Sequence, residues 1–527
     1  MARTRTTTRS AGGSVRKNLA LAAMLFAVSM TFIDQTIVAI ATPNLSSELS
    51  LSRSGAQWIV NAYLLALAAT FALGGRVADV LGHRRVVIGG IVGFTLSSAL
   101  CGATPTSSYA EAWLIVFRAA QGISAAFMVP AALAVVISSF AVRERGRALA
   151  IFFGVSGGLT AVGPIAGGYL TQWTWRAIFW VNVPVALIAL ALLAVAHVGT
   201  AASRERIDWR GAALVALGMG LSVLGFQEVQ TWGWGNPWTW VCIVAGLVVL
   251  ALFVVAELQT EFPLLRLEIF RGRAFLVDNG VLFFSMIAFV PLFFFASVYS
   301  QVSLGYDADN AGLYLMVFFA GFATAAQIGG RLLDKSGAKR PVVLGCALGT
   351  VGFAVWGARL TELELSAQWW AIVLAGAGIG FLLGPTSTDA SNRAINASYG
   401  EVTGITQTVR NYGSSLGFAV LGSLLSNVFT NRLTDSLVGL GVPADTAQSI
   451  AARGSAPTGT DSAPPALKEA IAKAVRDDFA IATRWVLWGM AIALVIAFVI
   501  SLLHPGDQVG AADESVTNQP AEPVVPG

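Results

Sequence analysis

Long apolar stretches set the terms for this chain. A bilayer core is about 30 Å thick, so a helix that crosses it needs roughly 20 mostly apolar residues. Fourteen such stretches fall at 18–42, 56–76, 86–104, 112–138, 147–171, 177–198, 211–229, 238–256, 275–300, 310–331, 341–358, 368–389, 403–429 and 481–503. Several, such as 86–103 and 238–256, are apolar on every face, which excludes an amphipathic helix lying on a soluble core. Charge is correspondingly scarce: Asp, Glu, Lys and Arg make up 12% of the 527 residues, about half the share of a soluble domain. The 55 glycines would weaken soluble helices but let membrane helices approach closely. The expectation is an all-α integral membrane protein. Its first span is retained, because the run before Ala39-Ile40-Ala41 is too long for a signal peptide and contains Asp34.

Lys and Arg fall in alternate loops. One side carries Arg3, Arg5, Arg9, Arg16 and Lys17, then Arg76, Arg84 and Arg85, Arg143 to Arg147, Arg204 to Arg210, Arg266 to Arg273, Arg331 to Arg340, and Arg393; short loops on the other side hold little beyond Arg53, Arg176 and Arg359. The positive-inside rule therefore puts both termini in the cytoplasm and the protein in the cell membrane. The same alternation turns the net charge of +4 away from nucleic acid. Cys101, Cys242 and Cys346 are far apart in apolar segments, and His83, His197 and His504 are scattered, so neither a disulfide framework nor a metal site is expected.

The chain repeats itself. Gly75-Arg-Val-Ala-Asp79-Val-Leu-Gly82-His-Arg84-Arg85 follows the second span, and Gly330-Arg-Leu-Leu-Asp334-Lys-Ser-Gly337-Ala-Lys-Arg340 follows the tenth, 255 residues on. The copies hold equivalent places if spans seven and eight are inserted between two six-span halves. The domains are then a cytoplasmic tail (1–17), a six-helix bundle (18–198), two inserted helices (199–260), a second bundle (261–503) with an outward loop at 430–480, and a disordered tail (504–527). Within that loop, 465–478 reads as a short amphipathic helix. Parallel repeats mark secondary transporters, with the substrate site near mid-membrane between the halves. Gly82 and Gly337 permit a tight turn; Asp79 and Asp334 sit near the positive end of the next helix. Such a loop can latch two bundles or simply anchor topology.

At these residues the chain resembles the major facilitator superfamily, and more narrowly the 14-helix drug:proton antiporters of EmrB/QacA type. The loop is similar to G-x-L-a-D-r-x-G-r-k, with Val80 and His83 standing where the pattern is basic. Residues 33–43 resemble the first-helix signature L-D-x-T-I-V-N-V-A-L-P, matching at Asp34, Thr36 and Pro43. Arg118, Gln121 and Gly122 match the fourth-helix R-x-x-Q-G; Gly163, Pro164, Gly167 and Gly168 match the fifth-helix antiporter motif; Trp175, Arg176, Asn182 and Pro184 resemble the sixth-helix entry. The resemblance implies a major-facilitator fold of fourteen helices and a role for Asp34 and Arg118 in proton coupling.

Ionisable groups within spans usually face a cavity. Asp34 is the first candidate for loading a proton or meeting a cationic substrate; Arg118 would lower the pKa of a neighbouring carboxylate; Gln121 shares its face. Asp278 is a second proton or substrate candidate, with Arg410 as a possible partner. Glu228 and Asp389 read as charges solvated at the interface. Trp58, Tyr63 and the Phe-rich ninth span, Phe294 among them, could line an apolar pocket. Gly154 and Gly158 form a ridge for close packing, and Pro164 bends the helix. The sequence carries no P-loop, Gly-x-Ser-x-Gly or HExxH, so an ion gradient, with no cofactor and no catalysis, is the expected energy source. The leading expectation is a monomeric proton-coupled exporter of hydrophobic or cationic small molecules. A dedicated exporter of one metabolite (an antibiotic, siderophore, amino acid or lipid) and a non-transporting receptor or scaffold remain open.

Overall fold

The computed structural model describes residues 7–51, 53–196, 207–261, 263–392, 399–453 and 465–506. Regular structure among them is helical throughout: α1 (Thr7–Leu49), α2 (Arg53–Leu81), α3 (His83–Gly102), α4 (Ala110–Ser139), α5 (Val142–Trp173), a short α6 (Ala177–Trp180) running into α7 (Asn182–Ala196), α8 (Trp209–Trp232), α9 (Pro237–Gln259), α10 (Arg273–Val302), α11 (Ala308–Ser336), α12 (Lys339–Arg359), α13 (Leu365–Asn392), α14 (Tyr399–Gly439), α15 (Ala444–Arg453) and α16 (Pro465–Leu502). Thirteen spans of described residues are long and apolar enough to cross a membrane. The expected span at 147–171 lies within α5, 32 residues long.

Local chemistry sets several helix ends. Gly82 and Gly337 close α2 and α11 at φ 92° and 76°, backbone angles that cost any residue with a Cβ. The two sequence copies therefore make the same turn in the same place. Asp208 caps α8 by accepting from the Arg210 N–H at 2.9 Å. Asn236 caps α9 by accepting from the Trp238 N–H at 3.0 Å, with Pro237 at the first helical position, where its missing N–H costs nothing.

The repeat governs packing as well as sequence. In the first bundle α2 and α3 pack on α4, α1 on α5 and α7, and α3 on α7; in the second, α11 and α12 pack on α13, α10 on α14 and α16, and α12 on α16. Position by position these are the same contacts. Between the bundles, α5 meets α11 and α2 meets α14: the fifth helix of each half meets the second of the other, as a pseudo-twofold axis requires. Each bundle has its own apolar core, the second built around stacked rings such as Phe293 on Phe319 and Phe289 on Phe322.

The inserted pair breaks this symmetry. Helix α8 packs on both α2 and α14, and α9 packs on α8. Helix α9 exposes Trp238, Val241, Val244, Val248, Leu252 and Val255, a surface suited to acyl chains.

The stretch 430–480 differs from the expected loop. Helix α14 runs on to Gly439, α15 follows, and α16 starts at Pro465 and continues unbroken to Leu502, so 465–478 is its first third and not a separate helix. Leu433, Leu437, Ala447, Ala451 and Ile471 are buried together, and that contact carries the helices beyond the apolar runs. At the other end, α1 begins at Thr7, inside the expected tail. Arg204, Arg206, Arg393 and the tail 507–527 lie outside the described residues.

Candidate functional site

The most constrained polar cluster joins α1, α2 and α4. Asp34, Arg118 and Gln121 are each at most 1% exposed. Arg118 Nη1 donates to Asp34 Oδ2 and to Gln121 Oε1 at 2.8 Å, while Gln121 Nε2 donates to Asp34 Oδ1 at 2.9 Å. Arg118 Nε donates to the Ile59 carbonyl at 3.0 Å, and its guanidinium lies 4.4 Å from the centre of the Tyr63 ring. Sequence spacing explains the closure: Arg118 and Gln121 are three apart on one helix, so both face α1. A buried ion pair survives only when hydrogen bonds fill its remaining valences; Gln121 and the Ile59 carbonyl supply them, and the Tyr63 ring covers the guanidinium. Without the Asp34 charge, Arg118 would be a buried cation lacking its counter-charge.

Two glycines let this cluster form. A Cβ on Gly122 would fall 2.3 Å from the Tyr63 carbonyl, and one on Gly163 would fall 1.9 Å from Thr36 Oγ1 and 3.1 Å from the Ile33 carbonyl. Helix α5 therefore touches α1 at the turn that carries Asp34. Gly167 is buried and Gly168 half-buried on the same helix. The surroundings of Gly154, Gly158 and Pro164 lie outside the described residues.

The ends of the bundles that carry the repeat motif are drawn together. Helix α14 comes close to α2, a Cβ on Gly404 lying 3.6 Å from Gly75 Cα. Arg145 of α5 donates to Asn392 Oδ1 of α13 at 3.1 Å, and Thr403 Oγ1 donates to the Pro130 carbonyl at 3.4 Å. Buried Glu401 accepts from the Arg266 N–H. An apolar layer from α2, α8, α9, α10, α13 and α14 closes the same end. In the loop motif, His83 Nε2 lies 2.9 Å from Asp79 Oδ1, so the residue that departs from the family pattern still ties α2 to α3. Arg84 is half-buried. In the second copy Gly330 is buried and Asp334 exposed.

The sixth-helix entry is structural. Arg176 pairs with Glu48 at 2.9 Å and donates to the Thr104 carbonyl at 2.9 Å, and Asn182 donates to Ser98 Oγ at 2.9 Å.

A second buried polar cluster was not legible in the sequence. Asp278 of α10, Asp389 of α13 and His504, just past α16, are 0%, 4% and 2% exposed. His504 Nε2 is 3.0 Å from Asp389 Oδ2 and 3.7 Å from Asp278 Oδ1. Asp389 is thus a buried group, not one solvated at the interface, because the chain after α16 folds back over it. Glu228 is also buried, at 5% exposure, with Asn61 Nδ2 at 3.5 Å from its Oε1; α8 leans that carboxylate against α2. Only the spacing of His504 to its partners, 115 residues or more in sequence, hid this cluster, and no local motif could have revealed it.

The remaining candidates are spread out. Tyr63 is fully buried beneath Arg118, and Trp58 is half-buried on α2. Phe294 is 50% exposed, at the edge of rings that include Phe295 and Phe418. Arg410 is buried and donates to Gln407 Oε1 at 2.9 Å.

Two duplicated six-helix bundles with buried charge inside each define a polytopic membrane protein of the transporter kind. The chain belongs to the Major Facilitator Superfamily, whose family model matches residues 24–418. It is 32% identical to the tetracenomycin C resistance and export protein of Streptomyces glaucescens, over 77% of this chain and 76% of that one. It is 33% identical to the puromycin resistance protein pur8 of Streptomyces alboniger, over 80% and 85%. Among solved structures, the proton:xylose symporter XylE bound to 6-bromo-6-deoxy-D-glucose superposes with a TM-score of 0.61 at 14% identity, covering 96% of this chain and 99% of that one, a likeness of fold.

Proposed function

We propose that this protein exports hydrophobic or cationic small molecules in exchange for protons, by alternating access, as a monomer in the cell membrane with both termini in the cytoplasm. The observation that carries the reading is the Asp34–Arg118–Gln121 cluster, a carboxylate buried in a membrane helix and held by a guanidinium of the facing helix. The names of its relatives, a resistance and export protein and a resistance protein, support export as the direction.

The pseudo-twofold supplies the motion. The α2–α14 and α5–α11 seams can close at one end while they open at the other, and the end with the repeat motif is the closed one here. In this state cargo would leave from the opposite face. A proton entering there neutralises Asp34 and frees Arg118, which breaks the bridge between α1 and α4 and favours the alternative packing. On the basic side, loss of the proton restores the bridge. The energy comes from the proton gradient without a bound cofactor.

Proteoliposomes loaded with a fluorescent lipophilic cation, puromycin or tetracenomycin, under an imposed pH gradient, test this reading. Gradient-driven efflux is expected for wild type and background efflux for Asp34→Asn at unchanged insertion. Efflux that ignores both the gradient and the substitution would remove the proposal.

A further inference from the structure

The inserted pair carries polar groups that neither a helix cap nor a loop explains. Helix α8 holds one acid, Glu228, four residues short of its end at Trp232. Its side chain is buried, with Asn61 Nδ2 of α2 at 3.5 Å from Oε1. Asn61 supplies one long hydrogen bond and no charge. The preceding residue, Gln227, buries its Oε1 without a hydrogen-bond partner among the described residues. A buried acceptor left open costs about 1–3 kcal/mol, and a donor is the group that both side chains accept.

The contacts of α8 fix where these groups stand. Three positions touch α9: a Cβ on Gly218 would fall 2.8 Å from Leu250, one on Gly225 3.0 Å from the Thr239 carbonyl, and one on Gly246 of α9 2.4 Å from the Ser222 nitrogen. Phe226 meets Tyr412 of α14, ring centres 5.5 Å apart. A Cβ on Gly220 would meet Ala69 of α2 at 3.7 Å. Gln227 is seven residues past Gly220, hence on the same helix face, and beside Phe226 in sequence. It therefore stands in the wedge where α2 and α14, one from each bundle, come together under α8. Glu228 adjoins it on the α2 side.

The depth is informative too. Asn61 lies midway between Ile59, whose carbonyl accepts from Arg118, and Tyr63, whose ring lies beneath that guanidinium, about 3 Å along the helix from each. Glu228 and the Asp34–Arg118 cluster thus sit at one level of α2. Trp58, three residues before Asn61 and half-buried, shares Asn61's face. A carboxylate, an amide oxygen and the rings of Trp58, Phe226 and Tyr412 at one level are the groups that recognise an organic ammonium, by charge, by hydrogen bond and by cation–π attraction.

We propose that Glu228 and Gln227 of the inserted helix form a binding site for the ammonium group of amine-bearing cargo, at the seam between α2 and α14. This rests on the export reading and names a cargo class and its contacts within it. The ammonium pairs with Glu228 and donates to Gln227 Oε1, while the apolar body of the cargo lies along the seam. The inserted pair is then a selectivity element as well as a wall: it adds to the duplicated bundles a charge that neither half carries.

Fluorescence titration of the full chain in detergent with dansylcadaverine, a lipophilic primary amine, and with its N-acetyl form, which keeps the body and loses the charge, tests the site. Wild type is expected to bind the amine about tenfold or more tighter than the acetyl form, the scale of a hydrogen-bonded charge. Glu228→Gln brings that ratio close to one, Glu228→Asp retains most of it, and Gln227→Leu reduces it in part. Should Glu228→Gln not fold, Asn61→Lys seats an ammonium against the carboxylate and is expected to erase the preference as well. A wild-type protein that binds both forms alike overturns the site, and so does a preference that survives Glu228→Gln or Asn61→Lys. A preference kept by Glu228→Gln and lost with Asp34→Asn overturns it by moving cation recognition to the first cluster. Binding requires no gradient: if the ratios behave as expected while efflux ignores the gradient, the site stands and the coupling reading falls, and gradient-driven efflux without the preference removes the site alone.

Discussion

Asp34 and Arg118 stabilise one another only as a pair. Removing one partner of a buried ion pair costs about 3–5 kcal/mol, because the other is left charged and alone, whereas replacing both with uncharged groups costs far less. Arg118→Leu is therefore expected to lower the melting temperature of the detergent-solubilised protein sharply, and Asp34→Asn with Arg118→Leu to recover most of that loss. Single and double variants that melt alike would show that the two charges do not depend on each other. Gly163 makes a separate point. Its Cβ would strike Thr36, so Gly163→Ala should destabilise by roughly 1–3 kcal/mol, and Thr36→Ala should relieve it; a thermal double-mutant cycle with no coupling would place the clash elsewhere. These residues were legible because each is a polar or small side chain interrupting an apolar run. His504 was not. It follows the last run, its partners lie on helices begun far earlier in the chain, and only folding brings them within reach.

Between α12 and α13 the helices touch through backbone. A Cβ on Gly378 would lie 2.1 Å from the Gly349 nitrogen, one on Gly352 2.3 Å from the Ala375 nitrogen, and one on Gly345 2.7 Å from the Gly378 carbonyl. Small residues at such spacing allow dispersion contacts that lipid cannot match. Because backbone cannot rotate aside, Gly378→Ala is expected to force the pair apart and shift detergent unfolding to lower temperature, by more than Gly89→Ala, which meets nothing within 4 Å. Equal melting of the two variants would count against the seam. At this scale the sequence was most informative inside the bilayer, where apolar length alone marks a helix. It was least informative beyond it. Helices α14 and α16 continue past their apolar runs because Leu433, Leu437 and Ile471 find Ala447 and Ala451, and contacts between segments so far apart leave no period in either one.

For the molecule as a whole, the closed basic end predicts a lock. A Cβ on Gly404 would lie 3.6 Å from the Gly75 Cα across the bundles, so the two Cα atoms are at most about 5 Å apart, inside the roughly 6.8 Å that a disulfide spans. With Cys101, Cys242 and Cys346 replaced by Ser, the pair Gly75→Cys and Gly404→Cys should crosslink under mild oxidant, stop efflux, and regain it on reduction. Crosslinked protein that still exports would mean this end need not open. The inserted pair bears on the same movement. Helix α8 grips α2 of one bundle and α14 of the other, while among the described residues no inserted helix spans α5 and α11. If one half tilts against its twin, α8 has to slip over one of its two hosts. That flank then serves as the axle and the bare flank takes the larger throw, so halves that began as copies swing like a door hung along one edge.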